Sequence, residues 1–86
     1  MKTIRVTQVL NPITERFVWV YEDSDQPGWY LGLAENERVY WVVHEERAMQ
    51  YATQEEARQV FADNLGLFKG FKLLSENQLC LGFLAA

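Results

Sequence analysis

The chain has little of the residue types on which most small catalytic and metal sites depend. Its 86 residues include one cysteine, Cys80, and one histidine, His44. A lone cysteine excludes an intrachain disulfide framework and a zinc site built from several thiolates, and we expect Cys80 to be a buried apolar side chain. The five glycines are scattered and form no phosphate-binding loop. The composition therefore argues against the common kinds of catalytic and cofactor site.

Basic residues are also few, since 8 Lys and Arg stand against 12 Asp and Glu, for a formal net charge of −4. Proteins that bind nucleic acid carry a basic patch or stripe, so we expect no direct nucleic-acid partner. No apolar run approaches the roughly 20 residues of a membrane-spanning helix. Residues 1–6 become polar at once, which argues against a signal peptide. We expect a cytoplasmic protein that does not associate with membranes.

Aromatic residues, in contrast, are abundant, with 3 Trp, 4 Tyr and 5 Phe. Residues 17–21 and 39–43 are apolar at nearly every position, whereas a strand with one face in water alternates apolar and polar side chains. The length fits a single domain, residues 1–86, and a domain this small has a thin stability margin. The second face must therefore be covered by a curled sheet, by a second copy of the chain or by another protein.

Four strands are predicted in the first half of the chain, at about residues 2–10, 16–22, 29–35 and 38–45. Asn11-Pro12 starts the first turn, and the acidic stretch before Pro27-Gly28 forms the second. Pairing Leu10 with Glu15 predicts one shared apolar face that carries Ile4, Val6, Phe17, Trp19 and Tyr21.

The third and fourth predicted strands are joined by a two-residue turn at residues 36–37. The pairing across this turn sets Leu31 opposite Val42 and Gly32 opposite Trp41. Because glycine has no side chain, we expect the Trp41 ring to lie across the strand at Gly32.

A helix is predicted at about residues 54–65. Thr53 and Glu56 have the spacing of a capping box, in which each side chain accepts from the backbone of the other. Gly66 stands where a left-handed C-terminal cap belongs. The positions that recur at helical spacing are Ala57, Val60, Phe61, Asn64 and Leu65.

The C-terminal part is less clearly patterned. Residues 68–74 are typical of a strand that returns after the helix. Residues 75–78 form either a turn into a last strand at 79–84 or a second capping box that opens a short helix. Gly82 favours the strand. The order of elements predicts the α+β class: an antiparallel meander of four strands, one helix on one face, and one or two C-terminal strands. The pattern does not decide which face receives the helix.

No combination of residues indicates catalysis, so we expect a protein that is not an enzyme and has no cofactor or metal. His44, followed by Glu45 and Glu46, can in principle act as a general base. However, the sequence indicates no serine or cysteine nucleophile that would be its partner. Asp23 and Asp25 lack the remaining ligands of a calcium loop.

A protein interface is the function that the sequence favours. The predicted second face carries Val18, Val20, Tyr30, Val39, Trp41 and Val43, with Arg5 and Arg16 at its margin. Trp, Tyr and Arg surrounded by aliphatic side chains is typical of protein–protein hot spots. The acidic residues expected to meet a basic patch on the partner are Asp23, Asp25, Glu45 and Glu46.

The stretch Tyr51-Ala52-Thr53-Gln54-Glu55-Glu56-Ala57, which follows a Trp/Tyr-rich hairpin, resembles a pattern in small phage and prophage accessory proteins. Those proteins include anti-CRISPR inhibitors, which generally occupy a surface of a larger host complex. The resemblance implies a non-enzymatic inhibitor that binds a host nuclease complex in the host-cell cytoplasm. The alternative is a homodimeric structural or regulatory subunit that uses the same aromatic face.

Overall fold

The computed structural model describes residues 1–75 and shows a five-stranded sheet with one α-helix in that range. In chain order the elements are β1 (Lys2–Asn11), β2 (Arg16–Asp23), β3 (Tyr30–Leu33), β4 (Val39–Val42), a 3-10 turn (Glu45–Arg47), α1 (Gln54–Asp63) and β5 (Phe71–Leu73). The strand order is β4-β3-β2-β1-β5. The α+β class and the four-strand meander are confirmed. Because β5 is parallel to β1, the sheet is mixed. Cys80 and the run 79–84 lie outside the described residues.

The hairpin of β1 and β2 has its predicted faces but a register shifted by two residues. Leu10 lies opposite Phe17 instead of Glu15. The side chain of Asn11 accepts hydrogen bonds from the backbone amides of Ile13 and Thr14, which moves the turn one residue along the chain. A shift of two residues preserves the face of every side chain. Ile4, Val6 and Tyr21 therefore share the face on which they were predicted.

The register of β3 and β4 differs from the prediction by one residue. This slip exchanges the faces of β4, while β3 keeps its predicted faces. Leu31 lies opposite Trp41, not Val42, and Gly32 lies opposite Tyr40. The turn has three residues because Glu37 adopts φ 60°. A two-residue hairpin turn needs positive φ at one or both central residues and favours Gly there.

This slip corrects two predictions about the second face. Trp41 and Val39 pack on the side of the sheet that receives the helix, against the core with Leu31. The residue that lies over Gly32 is Tyr40, whose Cε1 is 3.3 Å from the position that a Cβ at Gly32 would occupy.

Helix α1 covers the first face and begins as predicted. Thr53 accepts from the backbone amide of Glu56 at 3.1 Å, and Ala57 is fully buried against the sheet. The Tyr21 hydroxyl donates to the carbonyl of Ala57 at 2.5 Å, and its ring contacts Phe61 and Phe68 edge-on. The buried members of this helix-side core are Ile4, Val6, Tyr21, Leu31, Ala57 and Phe68.

The end of α1 differs from the prediction. The helix ends at Asp63, and the Asn64 side chain donates to the carbonyl of Val60 at 2.8 Å. Gly66 is not in the left-handed region, so the predicted glycine cap is wrong. The glycine with positive φ after the helix is Gly70, at φ 92°, and its carbonyl accepts from the amide of Lys2 as β5 joins β1.

The second face of the sheet is covered by the chain itself. After β4, the 3-10 turn folds back and places Ala48 in a smaller core with Val20, Tyr30 and Val42. The Gln50 side chain fastens this segment, since its Nε2 donates to the Glu45 carbonyl and its Oε1 accepts from Asn11 Nδ2, both at 3.0 Å.

The segment after the 3-10 turn then passes from one face to the other through a gap in the sheet. Strands β2 and β3 pair only where Glu22 meets Tyr30. Beyond that point, the Met49 amide donates to the Leu31 carbonyl, and Tyr51 exchanges two backbone hydrogen bonds with Trp19. Met49 and Tyr51 both pack against the helix-side core. Residues 49–51 therefore fill the space between the diverging strands.

The sheet is also strongly curled. Although β4 and β5 form its opposite edges, the rings of Trp41 and Phe71 meet edge-on with centroids 5.8 Å apart. The helix-side core lies in the concave side of this curl. Among residues 1–75, no helix has the length and apolarity needed to cross a membrane.

Candidate functional site

The aromatic face predicted as an interface is not an exposed surface in the folded chain. Val20 is fully buried and Tyr30 almost so, beneath Ala48. Burial, with the negative charges of Glu22 and Glu45 nearby, raises the pKa of the Tyr30 hydroxyl. Trp41, predicted for the same face, lies half-buried on the opposite side of the sheet. Val20, Tyr30 and Trp41 therefore do not form one contact surface.

Arg5, predicted at the margin of that face, is held by an ion pair. Its Nε and Nη2 donate to Glu22 Oε1 at 2.9 and 2.6 Å, across a directly opposed pair of β1 and β2. The second oxygen of Glu22 accepts from the amide of Gly28 at 3.0 Å. The carboxylate thus holds both the sheet and the loop that follows it, which gives Arg5 a structural task.

Asp23 also has a structural role, although it was predicted to meet a basic patch on a partner. Only 2% of its surface is exposed, and its Oδ2 lies 2.9 Å from the Lys2 ammonium. Burial by itself would raise the pKa of this carboxyl. The hydrogen bond from Lys2, the amides of Asp25 and Gln26, and the charge of Lys2 together lower it instead.

The remaining predicted contact residues stay accessible to different degrees. The Asp25 side chain is 73% exposed, with its carboxylate 3.7 Å from Lys2 Nζ. Val43 is exposed at the end of β4, and Glu45 and Glu46 are half-buried in the 3-10 turn. His44 is exposed and precedes that turn without capping it through its side chain. The roles of these residues in partner binding stay predictions.

Among residues 1–75, large apolar side chains are exposed together at the tip of the β1–β2 hairpin. We call Leu10, Ile13 and Phe17 the hairpin tip. Their exposed fractions are 48%, 73% and 66%. Leu10 and Phe17 lie directly opposite each other on the two strands, and Ile13 is held in the turn by the Asn11 side chain. The tip is therefore an ordered apolar projection.

A pocket of about 230 Å³ opens at the other end of the hairpin, where β1 begins and β2 ends. We call it the tryptophan pocket. Its lining residues are Lys2, Asp23, Gln26, Trp29 and Trp41. The loop after β2 positions Trp29, whose carbonyl accepts from the Asp23 amide at 2.8 Å. The edge contact of Trp41 with Phe71 fixes the second indole.

The lining of the tryptophan pocket combines aromatic surface with charge. Trp29 is more than one-third exposed, so part of its ring is open to a ligand. The Lys2 ammonium neutralises the buried Asp23, while Asp25 adds a further exposed carboxylate beside it. The pocket thus presents two indoles and the ion pair of Lys2 with Asp23, and the Asp25 carboxylate lies next to Lys2.

A second, wider depression of about 430 Å³ lies between the β3–β4 turn and the end of α1. Its lining residues are Leu33, Glu37, Asn64 and Leu67. Within residues 1–75, no three His, Cys, Asp or Glu side chains are grouped so that they could hold a metal ion.

No protein-family model, curated protein or solved structure matches this chain. The resemblance of residues 51–57 to small phage proteins therefore stays a prediction.

Sequence reasoning missed both surfaces. Phe17 was assigned to the first apolar face, with no prediction of which face the helix covers, and Trp29 was treated only as the first residue of a strand. The hairpin tip could have been found by comparing the lengths of the helix and the strands. A ten-residue helix spans about 15 Å, whereas a ten-residue strand spans about 33 Å. A hairpin with strands of ten and eight residues must extend beyond such a helix. The placement of Trp29 and Trp41 around one pocket had no comparable signal in the sequence.

Proposed function

We propose that this protein is a non-enzymatic protein-binding module that contacts its partner through the hairpin tip. The observation that supports the proposal is the exposure of Leu10, Ile13 and Phe17 together on one projecting element. Isolated exposed apolar residues are ordinary on protein surfaces, whereas contiguous apolar patches mark interaction sites. Phe17 supplies an aromatic anchor of the kind enriched at such interfaces.

The geometry of the tip favours insertion into a groove on the partner. The Asn11 side chain and the cross-strand pairing hold the tip in one conformation, so binding loses little conformational entropy there. The tip adjoins Glu15 and Arg16, which are both exposed and place a charged rim around the apolar residues.

The finer proposal is an inhibitor that occupies a surface of a host nuclease complex. It is supported by the net charge of −4, which steers the protein towards basic surfaces such as those of nucleic-acid-binding enzymes, and by the resemblance of residues 51–57. An inhibitor of this kind should relieve nuclease-mediated restriction of a phage in cells, and Phe17→Ala should abolish that relief.

The direct test compares Phe17→Ala with the matched surface variant Tyr40→Ala, which also removes an exposed aromatic ring. For a partner isolated with the wild-type chain, Phe17→Ala should weaken binding by about 2 kcal/mol or more, roughly 30-fold, because the ring is an anchor. Tyr40→Ala should leave the affinity nearly unchanged. Both variants should keep the wild-type free energy of unfolding to within about 1 kcal/mol.

Equal affinities of the two variants would contradict the proposal. Solution mass measured by light scattering distinguishes the alternative, a homodimer. A dimer that persists on dilution and becomes a monomer in Phe17→Ala would assign the tip to self-association.

A further inference from the structure

The tryptophan pocket is independent of the hairpin tip, and its lining suits one kind of ligand. It lies on the helix-side face at the opposite end of β1 and β2 and offers about 230 Å³. That is room for several water molecules of about 30 Å³ each, or for the head group of a long side chain. It is too small for a folded element of a partner.

The charges of the pocket favour a cation over an anion. Lys2 Nζ is already engaged at 2.9 Å by Asp23, whose carboxylate is also hydrogen-bonded by the amide of Asp25. Asp25 does not line the pocket, but its carboxylate is 73% exposed and lies 3.7 Å from Lys2 Nζ, which does. An entering anion would meet an excess of negative charge, and an entering cation would find an accessible carboxylate.

The aromatic surface selects among cations. Tryptophan is the best ring for a cation–π contact, and arginine makes that contact more often than lysine. A guanidinium is planar, is weakly hydrated, stacks on aromatic faces and pairs with a carboxylate through two parallel hydrogen bonds. Trp29 offers the aromatic face within the lining, and Asp25, next to Lys2, offers the carboxylate.

We propose that the tryptophan pocket binds an arginine side chain of a partner protein, with the guanidinium on the indole of Trp29 and paired to Asp25. This proposal depends on the protein-binding proposal only for the source of the arginine. An acidic chain with net charge −4 complements a partner that presents arginine. The two surfaces lie at opposite ends of one hairpin, so each can fail without the other.

The test uses a capped arginine, Nα-acetyl-arginine methylamide, and its neutral isostere, Nα-acetyl-citrulline methylamide. The indole N–H signals of the three tryptophans are followed by NMR, with Trp19 as the internal control because it does not line the pocket. Capped arginine should shift the signals of Trp29 and Trp41 saturably, with a Kd in the millimolar range expected for one cation–π pair. Capped citrulline should give shifts at least tenfold weaker at the same concentration.

Variants complete the test. Trp29→Ala and Asp25→Asn should each remove most of the response at Trp41, and Phe17→Ala, at the hairpin tip, should leave it unchanged. An equal response to citrulline would overturn the proposal, because the pocket would then recognise shape without charge. Shifts that spread evenly over all three indoles, or that never saturate, would overturn it as well. So would free arginine binding more tightly than the capped form, since the pocket would then recognise the free amino acid.

Discussion

At the scale of single residues, the pair of Lys2 and Asp23 shows how a buried charge is stabilised at the end of the sheet. A carboxylate with 2% exposure needs hydrogen bonds and an opposite charge, and Asp23 receives both, from Lys2 and from the amide of Asp25. The pair also raises the pKa of Lys2, chiefly through the hydrogen bond with Asp23 and against some opposition from burial. The two shifts give the pair a defined pH dependence.

The pKa of Asp23 lies below its ordinary value of 3.8, so its stabilising contribution is present above pH 3.8 and is lost as the pH falls through the lowered pKa. The pKa of Lys2 lies above 10.5, so its contribution is present below pH 10.5 and is lost as the pH rises through the raised pKa. Lys2→Met removes the partner and should raise the pKa of Asp23.

We therefore expect Lys2→Met to be less stable than wild type at neutral pH. The difference should shrink as the pH falls through the raised pKa of Asp23 in the variant and vanish below its lowered pKa in wild type, where Asp23 is neutral in both. The measurement is the free energy of unfolding in urea across the acid range. Lys72→Met, at an exposed lysine of β5, is the control and should show no such change. A difference for Lys2→Met that stays constant with pH would contradict the role of Asp23.

At the scale of elements, turn length decides which side chains share a face. The three-residue turn between β3 and β4, with Glu37 at φ 60°, moves the register by one residue and brings Trp41 to the helix side. The same slip places Gly32 beneath both Tyr40 and the carbonyl of Arg47 in the segment that covers the second face. The absence of a side chain at residue 32 thus permits the close approach of that segment.

Gly32→Ala tests this arrangement. The added Cβ would lie 2.9 Å from the backbone oxygen of Arg47 and 3.2 Å from Val42 Cγ1, so we expect a loss of about 1–3 kcal/mol in the free energy of unfolding. Gly66→Ala is the matched control, because nothing lies within 4 Å of its Cβ position and its φ is not positive. It should be neutral or stabilising by less than about 1 kcal/mol. Equal effects measured by urea unfolding would show that the segment does not lie against Gly32.

At the scale of the whole molecule, two long-range contacts complete the fold. Strand β5 lies near the end of the described residues and pairs with β1 near their beginning. The pairing joins residues 2–4 to residues 71–73. The curl of the sheet then brings Trp41 on one edge against Phe71 on the other. This contact closes the concave side around the helix-side core and forms one wall of the tryptophan pocket.

Trp41→Ala should therefore destabilise the domain, by about 2–4 kcal/mol, somewhat below the range for a fully buried tryptophan. Trp29→Ala, at a ring that is partly exposed and belongs to a loop, should cost less than about 1 kcal/mol. The measurement is urea unfolding of both variants. If Trp41→Ala is as stable as Trp29→Ala, then the edge contact does not hold the curl together.

The sequence by itself determined those features that depend on neighbours along the chain. The capping residue Thr53, the apolar spacing of α1, the alternation in β1 and the apolar run of β2 set the helix start, the strand positions and the faces of the first hairpin. They also determined the α+β class, because the order of elements follows from local pattern. The excess of apolar residues in β2 and β4 correctly indicated that the second face would be covered.

Only the tertiary structure decided what covers that face and which side chains meet. A single residue in the left-handed region at Glu37 reversed the faces of β4 relative to the prediction, and composition does not reveal one backbone angle. The passage of residues 49–51 between β2 and β3, and the placement of Trp29 and Trp41 around one pocket, depend on contacts between segments far apart in the chain. Such contacts form because they jointly bury apolar surface, and no local pattern of residues specifies them.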